Sequence, residues 1–86
     1  VTVHFLPSDG THDEVRVAYT IGRRVGGAVV RNRCRRRLRS IASEAAADLR
    51  PGLYLIRVDP EVRGLGFALL RERVMHAMRQ AGERDK

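Results

Sequence analysis

Apolar and polar residues alternate in two early segments of this 86-residue chain and then give way to apolar steps of three and four, so the pattern predicts strands followed by helices. Val1, Val3 and Phe5 fall on one side of an extended segment and Thr2, His4 and Leu6 on the other, which predicts a first strand over residues 1–6. Pro7–Ser8–Asp9–Gly10–Thr11 is turn chemistry. Alternation resumes over Val15–Ile21, with Val15, Val17, Tyr19 and Ile21 facing one way, and a hairpin joining the two strands is the economical expectation. Gly22, Gly26 and Gly27 then punctuate the chain.

From Ala28 to Leu49, the residues Val30, Cys34, Leu38, Ile41, Ala45 and Leu49 recur at helical spacing, predicting one long amphipathic helix that Pro51–Gly52 stops. Leu53–Val58 reads as a buried strand and Asp59–Gly64 as a loop. Phe67, Leu70, Val74, Ala77, Met78 and Ala81 form the stripe of a second helix. The predicted order is β-β-α-β-α, an α+β class, with residues 1–86 forming one domain and no internal repeat or linker. A domain of this size buries only roughly 60–65% of the surface its unfolded chain exposes.

Charge changes the picture. The formal net charge is +7, and residues 21–50 carry nine arginines against only Glu44 and Asp48, so the whole excess sits in one third of the chain. Such a localised basic surface is the electrostatic footprint of polyanion binding. Winding the chain at about 100° per residue sets Arg31, Asn32, Arg35, Arg36 and Arg39 over the side of the first helix opposite its apolar stripe. Six arginines between Arg31 and Arg39, with no acid among them, repel one another and weaken the isolated helix. Phosphates would relieve that repulsion and release counterions. Asn32 adds a neutral donor and acceptor suited to a base edge or a ribose hydroxyl. Arg23 and Arg24 extend the basic surface, and the glycines beside them allow backbone to approach a phosphate.

Other chemistries find less support. A single cysteine excludes an intramolecular disulfide framework and, with three scattered histidines, offers no metal-ligand cluster, so a reducing cytoplasm is the expected location and no metal site is expected in the protein. No apolar run approaches the roughly 20 residues that span a bilayer, and residues 1–5 lack the basic flank of a signal peptide. The first residue is Val, already inside a strand pattern, which leads us to expect either an absent upstream segment or an alternative start. His4, His12 and His76 lie in separate elements with no carboxylate or lysine arranged around them by any readable motif, which argues against a protein-only nuclease. Cys34 lies on the apolar stripe as a small core residue. Tyr19 and Tyr54 suit strand packing, though either would stack on a base if it faced a cleft.

The segments Arg16–Val17–Ala18, Arg23–Arg24–Val25–Gly26 and Ala28–Val29–Val30–Arg31–Asn32–Arg33–Cys34–Arg35–Arg36–Arg37–Leu38–Arg39 together resemble the bacterial ribonuclease P protein family, whose R-N-R signature opens a basic helix. The resemblance covers essentially the whole chain. It implies a small sandwich in which a left-handed crossover links two parallel strands through the signature helix. It also implies that Arg31, Asn32, Arg35, Arg36 and Arg39, with Arg33 assisting, dock on ribonuclease P RNA. That RNA would carry out hydrolysis with bound Mg2+, while the protein supplies no catalytic side chain and helps capture precursor tRNA, its 5′ leader in a cleft on the sheet. No membrane and no obligate protein partner are expected. Family members usually begin with a basic helical segment bearing aromatics, which this chain lacks; His4 falls near an aromatic position of the family's first full strand and, with Tyr19, is a candidate leader contact. Ala18 stands where glycine is usual, and Gly22 where a small hydroxyl residue is usual. The alternative is a small structural RNA binder of ribosomal type, which would share the basic helix.

Overall fold

A computed structural model describes residues 1–10 and 13–84. Its regular elements are β1 (Thr2–Pro7), β2 (Val15–Ile21), α1 (Ala28–Ala45), β3 (Gly52–Val58) and α2 (Phe67–Arg84), the β-β-α-β-α order that the hydrophobic pattern predicts. Three short 3-10 turns, Arg23–Val25, Ala46–Asp48 and Pro60–Gly64, connect them.

The predicted hairpin does not form. The sheet runs β1-β3-β2, with β3 antiparallel to β1 and parallel to β2, so the third strand is inserted between the first two. Polarity explains the order. Thr2 and His4 on β1, and Arg16 and Thr20 on β2, suit edge strands, and Pro7 closes β1 where a missing N–H is harmless. β3 carries Tyr54, Ile56 and Val58, all buried, and therefore takes the centre. β1 and β2 therefore lie two strand spacings apart, about 9.5 Å, where a hairpin would set them one apart.

Both helices pack on one face of the sheet. Leu38 and Ile41 of α1 and Leu70, Val74 and Met78 of α2 form a single core with Tyr54, Ile56 and Val58. Val1, Val3 and Phe5, and likewise Val15, Val17, Tyr19 and Ile21, pack against that core from the edge strands. The other face stays open, which corrects the reading of residues 53–58 as a buried strand on that side: Leu55 is 37% exposed and Arg57 is exposed, because none of the described residues forms a layer over it.

Two features of α1 also differ from expectation. α1 ends at Ala45 and tightens into the 3-10 turn, leaving Leu49 extended (φ −100°, ψ 148°) just ahead of Arg50, whose helical conformation Pro51 disfavours. Val30 is 36% exposed rather than core; it sits at the margin of the stripe and lies over Gly26, where an added Cβ would approach the Val30 Cβ to 2.8 Å. At the other end of the molecule Gly52 has φ +147°, and a Cβ there would meet the Phe5 ring at 2.5 Å and the Leu6 carbonyl oxygen at 2.7 Å. Only glycine lets β3 start between both neighbours.

Polar clips hold the layers. The Tyr54 hydroxyl donates to the Arg50 carbonyl at 2.8 Å, and Arg50 donates to the Gly82 carbonyl at 3.2 Å while lying over the Phe5 ring. Arg50, one of the nine arginines of the basic third, therefore serves the fold. Arg71 of α2 grips the Glu44 carboxylate of α1 through two hydrogen bonds, the Nε bond at 2.9 Å.

Candidate nucleic-acid interface

The basic surface begins where β2 ends. Val25 is buried and anchors the 3-10 turn Arg23–Val25, so Arg23 and Arg24 project outward. Gly26 and Gly27 then pass the chain into α1 with no side chain capping the helix and no acid in its first turn. The positive end of the helix dipole therefore adds to the field of the arginines instead of being neutralised.

On α1 itself, burial of Cys34, Leu38, Ile41 and Ala45 fixes the rotation of the helix. Measured around the axis from that stripe, Arg31, Arg35 and Arg39 climb one flank, Asn32 and Arg36 lie near the crest, and Arg33 and Arg37 descend the other flank. Arg39 neighbours the Tyr19 phenol, which identifies the first flank as the β2 side. The second flank meets Val62, Arg63 and Leu70. The single face predicted from the sequence is thus two ridges separated by a crest, and Arg37 and Arg63 belong to a part of it that sequence reasoning missed. Arg37 stands at an angle that turns it toward α2, and Arg63 sits in a loop whose position depends on tertiary packing.

None of the six arginines from Arg31 to Arg39 forms an ion pair with an acid among the described residues. Glu44, the acid of α1, is engaged by Arg71; that hydrogen bonding holds its carboxyl below the usual range. Arg35 donates to the Asn32 side-chain oxygen at 3.0 Å, which orients the guanidinium and leaves the Asn32 amide protons as the outward donors. The Arg31 Nε is buried and has no hydrogen-bond partner among the described residues. Burial pushes the Cys34 thiol up, against the opposing charges of Arg37 and Arg35, so the side chain is a neutral core thiol at physiological pH.

The structure separates the two candidate leader contacts. His4 lies on the open face of the sheet, opposite Leu55 in register, and lines a cavity of about 570 Å³ with Arg23, Arg24 and Arg57. Tyr19 points to the helix-covered face, packs against the core, and has its phenol pushed up by burial. Arg57 joins His4 because β3 alternates and pairs with β1, a register that no local signal in the sequence reveals. His76 lies exposed on α2, in the helix layer, and so is not gathered with His4; His12 lies outside the described residues. Among the described residues, no three His, Cys, Asp or Glu side chains group in a way that could hold a metal ion, and no helix is long and apolar enough to cross a membrane.

Comparison with known proteins places this geometry. A family model described as Ribonuclease P matches residues 1–82. The ribonuclease P protein component of Thermus aquaticus is 39% identical over 82 residues, covering 95% of this chain and 47% of the relative. That of Beutenbergia cavernae is 36% identical over 87 residues, covering 100% and 72% respectively. The chain thus spans about half the length of its Thermus relatives and 65% of the Shouchella clausii one. Among solved structures, the ribonuclease P protein from Thermotoga maritima superposes with a TM-score of 0.80 at 18% identity, covering 91% of this chain and 74% of that one, a likeness of fold.

Proposed function

Because this chain belongs to the ribonuclease P protein family, we propose that it acts as the RNA-binding protein subunit of that ribonucleoprotein and assists removal of the 5′ leader from precursor tRNA. The observation that carries the reading is the run of six arginines on α1 with no acid paired to it among the described residues. Arg31, Arg35 and Arg39, with Arg36 and Asn32 on the crest, Arg33 beyond it and Arg23 and Arg24 before it, present guanidinium forks to phosphate oxygens. The ribonuclease P RNA is their partner in this reading, and phosphodiester hydrolysis belongs to that RNA with Mg2+ that it holds. The protein contributes binding and charge. His4, Arg57, Arg23 and Arg24 border a cavity on the open sheet face, and a single-stranded leader laid there would meet basic groups at one end and the apolar Leu55 beneath. The cytoplasm, where tRNA matures in bacteria, is the corresponding location.

Reconstitution tests this. A bacterial ribonuclease P RNA at Mg2+ too low for efficient cleavage alone is expected to process precursor tRNA faster when the folded chain is added. No stimulation, with RNA binding intact, would refute the subunit role and leave a structural RNA binder.

A further inference from the structure

Between α1, the Pro60–Gly64 turn and α2 lies a cavity of about 230 Å³ on the flank of α1 away from β2. Its floor is apolar: Val62 and Leu70 are buried, and Val30 is 36% exposed at its margin. Val25 and Cys34 also line it, and its charged groups are three arginines, Arg33, Arg37 and Arg63. No ion pair joins any of them to an acid among the described residues, and Glu44, the acid aligned with Arg33 and Arg37 along α1, is engaged by Arg71. The uncapped N-terminus of α1, just before Val30, adds positive potential from the same end.

An apolar floor beneath three unpaired guanidiniums matches an amphipathic anion. A nucleotide has that character: a flat base that loses water readily and a phosphate that suits an arginine fork. The volume is below the about 300–1,000 Å³ of a typical small-molecule site, which favours one base over a whole dinucleotide cofactor. We infer that this cavity takes a single unstacked nucleotide of the RNA partner, its base on Val30, Val62 and Leu70 and its flanking phosphates on Arg33, Arg37 and Arg63. The inference rests on the RNA-binding reading above and adds a second contact, on the opposite flank of α1 from Arg31, Arg35 and Arg39. One helix then grips RNA from both sides.

Two variants and a footprint test it on the full chain with a bacterial ribonuclease P RNA. Arg37→Ala with Arg63→Ala is expected to lower the slope of log affinity against log salt by about 1.4–1.8, at about 0.7–0.9 per phosphate, and to expose one discrete set of nucleotides to hydroxyl radicals. Nucleotides protected through Arg31 and Arg35 should stay protected. Val30→Trp fills the cavity at constant charge and is expected to weaken binding about tenfold with the slope unchanged, the effect of one lost base contact. If Val30→Trp fails to fold by circular dichroism, the arginine variant and its footprint decide. An unchanged slope and footprint in the arginine variant overturn the inference while sparing the proposed function. A reduced slope beside wild-type binding by a folded Val30→Trp overturns the pocket and leaves surface phosphate contacts. Absence of binding by the wild-type chain overturns both.

Discussion

Replacing Arg31 and Arg35 by alanine removes two guanidiniums from one flank of α1 without touching the buried Cys34–Leu38–Ile41 stripe behind them. If each contacts a phosphate, the slope of log affinity against log salt falls by about 1.4–1.8, from about 0.7–0.9 per contact. Between 50 and 200 mM salt that difference compounds to roughly a tenfold change in the ratio of wild-type to variant affinity, with the larger defect at low salt. Filter binding with labelled ribonuclease P RNA across that range measures it. Arg73→Ala with Arg79→Ala, which removes two exposed charges from α2, is the matched control and should leave the slope within error of wild type. Equal slopes for the α2 and α1 double variants would refute the reasoning, because loss of net charge alone would then account for the effect.

Other consequences follow from the same geometry. Arg36→Ala, at the crest of α1, is expected to leave thermal stability unchanged or raise it by a few tenths of a kcal/mol, since it relieves like-charge repulsion and improves helix propensity, while still weakening RNA binding; a clear drop in Tm would assign Arg36 to the fold. Gly52→Ala should destabilise the chain by about 2–4 kcal/mol through strained φ and collision with Phe5, lowering Tm by about 10 °C or more in a calorimetric scan. Glu44→Gln probes the Arg71 clip. Because the folded carboxyl lies below its usual range, the clip stabilises the protein above about pH 5 and loses that contribution as pH falls through the lowered value. The stability gap between wild type and Glu44→Gln should therefore narrow on acidification in urea titrations, and a gap that stays constant as the pH falls would contradict the assignment.

The elements were legible because each is written in a local period. Alternation placed Val3 and Phe5 on one face of β1, and steps of three and four placed Leu38, Ile41, Val74 and Met78 in the core. The arginine block needed only counting. Strand order was not legible, since a turn-rich segment between two alternating strands looks the same whether they pair directly or admit a third strand between them. That single non-local fact hid the rest. Register against β3 decides that Arg57 lies on the open face with His4, and helix-side packing decides that Tyr19 does not. The division of the arginines into two flanks likewise depends on where α2 docks, which no window along α1 contains.

Whether a polyphosphate neutralises the α1 arginines is observed most directly in the guanidinium signals themselves. Nuclear magnetic resonance of the arginine Nε–H groups, recorded for the free chain and for its complex with ribonuclease P RNA, reports on each side chain. Arg31, Arg35, Arg36 and Arg39 are predicted to shift and to exchange more slowly with water on binding, while Arg71, already held by Glu44, stays as it was. Unmoved signals from α1 beside large changes at Arg71, Arg73 or Arg79 would contradict the account, because the RNA would then lie on α2.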